Sequence, residues 1–162
     1  MIADHELDDL RLKMEECITR VPVKEIVVPV SRVRDFCEII GDLHPVYFDP
    51  DQARRSGEDK VRLPESYFLT MIAPLSHDLF TTGIGHLLGA LIKGIIHTSS
   101  VIELYEPLYC DTPYHLKLEL SRLVRKRGKL GEYLVGTFLH KVFSAGAKLV
   151  AMDSHVFFLR TS

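Results

Sequence analysis

A carboxylate, an imidazole and a phenol fall within six consecutive residues, Asp42-Leu43-His44-Pro45-Val46-Tyr47, framed by Gly41 and by Phe48-Asp49. These are groups that move protons. An imidazole with a reference pKa of about 6.5 is a competent base at neutral pH, whereas a phenol at about 10 is a poor one. A carboxyl sheltered by apolar side chains is raised toward a pKa useful for proton transfer. The same residue types have a plain structural use, because an Asp after Gly commonly caps a helix end or a turn. Both readings of Asp42 stay open at this level.

The remaining polar residues carry less signal. Among the histidines, His77, His86, His97, His115, His140 and His155 show no H-x-x-x-H or H-E-x-x-H spacing on a common helix face, so no metal site is predicted. His97 and His155 fall on predicted strands. Gly83-Ile84-Gly85 and Gly89 follow a helical segment and have no Lys-Ser/Thr after them, which argues against a phosphate cradle and predicts a flexible loop. Cys17, Cys37 and Cys110 are an odd number at unrelated spacings, against a disulfide framework and in favour of a reducing cytoplasm.

Several elements must position the 41–49 run. Leu7, Leu10, Met14, Cys17 and Ile18 recur at helical spacing among charges, predicting an amphipathic helix over 4–18. Val/Ile-rich residues 23–30, bracketed by Pro22 and Pro29, predict a first strand. Ser31 is placed as N-cap of a helix to about Ile40 with Val33, Phe36, Cys37 and Ile40 as its buried stripe. Asp49-Pro50 predicts the start of a short helix through Arg55, closed by a turn at Ser56-Gly57. Residues 64–80 are apolar nearly all round, as in a helix surrounded by protein, and Pro74 within them predicts a kink or an early end.

From Ile95 onward the period becomes strand-like: 95–104, 114–125, 132–143 and 148–160, with turns at Asp111-Thr112-Pro113, Arg127-Gly128-Lys129 and Ala145-Gly146. Leu116, Leu118 and Leu120 alternate with Lys117, Glu119 and Ser121, giving one core face and one wet face. A buried helix followed by an antiparallel meander is an α+β arrangement, a sheet wrapped around a helix.

At 162 residues the chain is expected to form one domain over 1–162, with 1–20 as an N-terminal helical extension. Twenty basic against 22 acidic residues leave no electrostatic footprint for nucleic acid or an anionic membrane. No apolar run approaches the roughly 20 residues of a membrane span, and the acidic N-terminus has no signal-like core. Secretion and membrane insertion are disfavoured, and a cytoplasmic location is expected.

The 41–49 run reproduces most of the G-D-x-N-P-x-H-x-D loop of MaoC-like acyl-thioester hydratases and dehydratases, with Tyr47 at the family's His and His44 at its Asn. Ala53, Pro64 at the start of the central helix, and Glu106-Pro107-Leu108 with Asp111-Thr112 also match family features. Over roughly 23–160 the chain therefore resembles the MaoC-like branch of the hotdog fold, an antiparallel sheet wrapped around a long central helix. The resemblance implies reversible hydration of a 2-enoyl thioester carried on coenzyme A or on the phosphopantetheine of an acyl carrier protein, with no further cofactor. It places Asp42, His44 and Tyr47 at the catalytic positions. It makes Pro64, Glu65, Ser66, Tyr67, Phe68 and Met71 candidate substrate-binding residues, with Phe80 a further lining residue, main-chain N–H groups of Glu65 or Ser66 facing the thioester oxygen, and the glycine-rich loop over the acyl tunnel.

The Tyr47 exchange is similar to hotdog subunits that lack the dyad, hold the acyl chain and pair with an active partner, so a non-catalytic acyl-binding subunit stands beside the hydratase reading. A hotdog thioesterase is a third, with Glu65 as its acid. The expected partners are an acyl-thioester substrate and a second hotdog chain, as homodimer or heterodimer. The basic cluster Arg125-Lys126-Arg127 with Lys129 reads first as a solvated hairpin tip and second as a contact for coenzyme A phosphates or a carrier protein.

Overall fold

The computed structural model describes residues 3–81, 84–89, 92–129 and 131–161. In chain order these form α1 (Asp4–Thr19), β1 (Lys24–Val27), α2 (Val30–Ile40), α3 (Pro50–Arg55), α4 (Phe68–Thr81), α5 (Ile84–Gly89), β2 (Ile92–Leu104), β3 (Pro113–Gly128), β4 (Gly131–Ser144) and β5 (Leu149–Thr161), with 3-10 turns at Pro45–Tyr47 and Glu65–Tyr67. The strands make one antiparallel sheet in the order β1-β3-β4-β5-β2. Register shifts between Leu120 and Arg122, between His97 and Ser99, and between Val142 and Phe143 mark bulges, which bend strands and let the sheet curl about α4. No helix among the described residues is long and apolar enough to cross a membrane.

Two apolar clusters fill the interior. The first gathers Val33, Cys37, Ala53, Phe68, Met71 and Leu75 against Leu116, Val142 and Ala151. The second gathers Leu10, Met14 and Ile18 of α1 with Leu79, Ile84 and Leu88 against Leu120, Phe138, Phe157 and Leu159. The helix predicted over 4–18 thus docks on the sheet through the stripe its periodicity marks. An ion pair of Lys24 Nζ with Asp78 Oδ2 at 2.6 Å ties β1 to α4.

Five local expectations are corrected. Pro29, not Ser31, caps α2, and it does so without a side-chain bond. Ile40 leaves the predicted stripe and is exposed, because Gly41 turns the chain before that face closes on the core. α4 runs through Pro74 to Thr81 without ending early, since Pro74 lies on the exposed side where its missing N–H is least costly. That helix is also not enclosed all round: Leu69, Ala73 and Pro74 face outward. Ile84–Gly89, expected as loop, is a one-and-a-half-turn helix whose Ile84 and Leu88 anchor the second cluster; Gly83 lies outside the described residues.

Candidate active site

α2 ends in a left-handed turn at Gly41, φ 76°, a conformation that a Cβ disfavours. The N–H of Asp42 then donates to Cys37 O at 2.9 Å, so the Gly-Asp pair is fixed to the helix end. Asp42 is half-buried, and its Oδ1 accepts a long bond of 3.4 Å from the His44 N–H. The loop continues as the 3-10 turn Pro45–Tyr47, pinned to α2 by Arg34 over the Phe48 ring at 5.4 Å. Asp49 then caps α3 by accepting from the N–H groups of Asp51 and Gln52 at 2.8 and 3.3 Å.

This loop forms one side of a cleft of about 210 Å³. Tyr47 lines it. So do Pro64, Glu65, Tyr67, Phe68 and Met71 from the start of the central helix, and the 104–108 connection closes the far wall. Four backbone hydrogen bonds hold those walls. Val150 O accepts from Tyr105 and Glu106, and Leu63 donates to Leu108 O while Cys110 donates to Val61 O. The main-chain N–H groups of Glu65 and Ser66 lie at a helical N-terminus, where the first N–H groups lack intrahelical partners. Ser66 is exposed and Glu65 carries its charge at the mouth. The side chain of Phe80, expected as a further lining residue, lies outside the described residues.

His44 does not line the cleft. Its ring is exposed, its Nδ1 accepts from the Val46 N–H at 3.3 Å as the cap of the 3-10 turn, and it stands edge-on to the Tyr47 ring at 6.2 Å. Tyr47 is half-buried, and its phenol is pushed up from the ordinary value, first by burial and then by the neighbouring Asp42 carboxylate. The group facing the cleft from this loop is therefore a protonated phenol at neutral pH, a hydrogen-bond donor and not a base. Cys110, buried against the same wall, has its thiol pushed up to about 12 and stays protonated. The basic run 125–127 sits at the other end of β3, with Arg125 paired to Asp4 at 2.8 Å.

A second constellation lies away from the cleft. His140 of β4 and Asp153 of β5 are paired residues with no exposure, and His155 sits two residues on along the same face. His155 Nδ1 meets Asp153 Oδ2 at 2.5 Å, His140 Nδ1 approaches that oxygen at 3.4 Å without a hydrogen bond, and Ser76 of α4 meets His140 Nε2 at 2.9 Å. Burial pushes the Asp153 carboxyl up, yet the imidazoles of His140 and His155 together outweigh it and hold it at about 2. Helix spacing rules could not find this group; the signal was an Asp at an inward position of a strand two residues before a His.

A curled antiparallel sheet around a helix whose N-terminus faces Tyr47 of the Gly-Asp loop across a cleft defines a hotdog protein. The chain belongs to the family described as "FAS1-like, dehydratase domain region", whose profile matches residues 18–151, and it is a divergent MaoC-like member. Among solved structures it is similar to the ChsH1-ChsH2 complex of Mycobacterium tuberculosis, with a TM-score of 0.71 at 18% identity over 95% of this chain and 97% of that one. It is also similar to the HadBC (3R-hydroxyacyl-ACP dehydratase) complex of the same organism, with a TM-score of 0.67 at 15% identity over 87% and 98%. The (R)-hydratase of A. caviae involved in PHA biosynthesis gives 0.61 at 15% over 87% and 93%. At these identities the likeness concerns the fold. Curated proteins offer no significant sequence match.

Proposed function

We propose that this chain is the acyl-binding subunit of a 2-enoyl-thioester hydratase / 3-hydroxyacyl-thioester dehydratase, completed by a related hotdog chain that carries the base. The observation that carries this reading is the exchange of roles in the loop: a protonated Tyr47 phenol faces the cleft while the loop's imidazole, His44, is spent on capping Val46. Hydration needs a group that takes a proton from water as it attacks the β-carbon and a donor set that stabilises the enolate oxygen. The cleft supplies apolar walls from Phe68 and Met71 and a helical N-terminus at Glu65, and among the described residues that line it there is no imidazole.

Asp42 acts here by charge and position on Tyr47, and Tyr47 orients the thioester as a donor. The thioester is carried on coenzyme A or phosphopantetheine, whose acyl end enters between Tyr47 and Met71. Support for a hotdog partner comes from the long exposed edge of β2 and from the outward Leu69, Ala73 and Pro74 of α4.

The experiment is hydration of short and medium 2-enoyl-CoA by the purified chain, followed by loss of enoyl absorbance, beside binding of the same thioesters by calorimetry. Binding without turnover, weakened in Met71→Ala, is expected. Turnover by the chain alone that disappears in Asp42→Asn or His44→Ala would replace this reading with a self-sufficient hydratase.

A further inference from the structure

The polar group at His140, Asp153 and His155 lies between the two apolar clusters. On β4 it separates Val142 from Phe138, and on β5 it separates Ala151 from Phe157; on α4, Ser76 stands between Leu75 and Leu79. A buried carboxylate in such a place is costly unless paired, and an unmade hydrogen bond there costs about 1–3 kcal/mol per group. Two buried atoms, His140 Nδ1 and Asp153 Oδ1, have no hydrogen-bond partner.

We propose that His140, Asp153 and His155 bind a divalent transition-metal ion of the zinc class. One ligand atom from each of the three lies within 4.8 Å of the others, so a single ion can sit among them with small side-chain adjustment. Two imidazole nitrogens and one carboxylate oxygen are a donor set that suits Zn²⁺, Co²⁺ or Ni²⁺ and disfavours Mg²⁺ and Ca²⁺, which prefer oxygen. The cation takes up the lone pair of His140 Nδ1 and a free oxygen of Asp153, and it neutralises the buried charge.

Surrounding contacts orient the ligands. With Nε2–H of His140 donating to Ser76 Oγ at 2.9 Å, the ring presents an unprotonated Nδ1 to the cluster, as outer partners of metal-bound histidines do. The His155 ring is stacked on Phe157 at 5.1 Å and contacts Ser100 Oγ at 3.4 Å. Ser100 in turn meets His97 Nε2 at 3.2 Å, and His97 is exposed. The His155 side, 15% exposed, is the entry route and the place for a fourth ligand from Ser100 or water. A nucleophilic role for Ser76 is disfavoured, because His140 and Asp153 have no exposure and line no part of the cleft.

The test is titration of chelator-treated, folded protein with Co²⁺, read by its visible ligand-field bands, and with Zn²⁺, read by calorimetry. One equivalent per chain is expected, with Zn²⁺ displacing Co²⁺ and raising the thermal midpoint. His155→Gln and His140→Gln, each confirmed as folded by circular dichroism, are expected to weaken binding at least about tenfold. His77→Gln, on the exposed side of α4, is expected to bind as the wild type does. Absence of Co²⁺ bands from the folded wild type, or equal affinity in His155→Gln, would overturn the site and leave an imidazole–carboxylate belt without metal. The outcome is independent of thioester binding at the cleft.

Discussion

Tyr47 is where the family's chemistry and this chain part. Its phenol is raised by burial and by Asp42, so the unfolded chain ionises first as the pH climbs. The Tyr47 contribution to stability is therefore whole below about pH 10 and is lost as pH rises through the folded value. Asp42→Asn removes one of the two leading causes and is expected to bring the Tyr47 titration back toward 10, read by NMR of labelled tyrosines with Tyr47→Phe as assignment control. A further expectation concerns rate. Tyr47→His puts an imidazole on the cleft wall and is expected to raise 2-enoyl-CoA hydration by about 10²-fold or more over the wild type, since a placed base contributes that much. A Tyr47→His variant that binds thioester yet gains no rate would show that the partner chain, and not this loop, is the place of proton transfer.

At the scale of elements, two helix starts look alike in sequence and differ in the fold. Asp49 satisfies two N–H groups of α3 directly behind the Gly-Asp loop, whereas Ser31 lies inside the first turn of α2, which starts from Pro29. Asp49→Ala is expected to cost about 1 kcal/mol in denaturant unfolding, and Ser31→Ala less than about 0.5 kcal/mol. The first change also loosens the 45–49 turn, so weaker thioester binding should accompany the lost stability. Pro22 and Pro29 bracket β1 as read, while Pro74 shows that a helix interior accepts proline on its outward side.

At the scale of the molecule, β2 is a 13-residue edge strand with Ile96 and Val101 62% and 57% exposed and Ile95 and Ile102 beside them. A long apolar edge invites another strand. In the absence of the base-carrying partner the same edge is open to a second copy of this chain, so Val101→Lys is expected to shift the purified chain from dimer toward monomer in sedimentation velocity while leaving its circular dichroism unchanged. A wild type that is monomeric at tens of micromolar would show that the edge pairs only with the heterologous hotdog chain. The core makes its own prediction: Phe138, fully buried against Phe157 at 5.7 Å, is expected to cost about 3–5 kcal/mol on change to Ala.

Periodicity and turn chemistry determine most elements of this protein by themselves, with α5, whose glycines suggest a loop, as the exception. Leu10, Met14 and Ile18 mark the docking stripe of α1, Asp49-Pro50 marks the start of α3, and the alternation of Leu116, Leu118 and Leu120 marks the inner face of β3. Local sequence suffices there because caps, turns and two-residue alternation act over a few residues. The Gly-Asp loop and its Tyr47 exchange were likewise legible, since Gly41 and the residues it positions are neighbours in the chain. Tertiary structure alone decided that Tyr47 and not His44 reaches the cleft, because a 3-10 turn rotates His44 outward to cap Val46. It alone assembled His140, Asp153, His155 and Ser76. These come from β4, β5 and α4, and only strand register and helix packing, which depend on contacts remote in sequence, bring them within reach of one another.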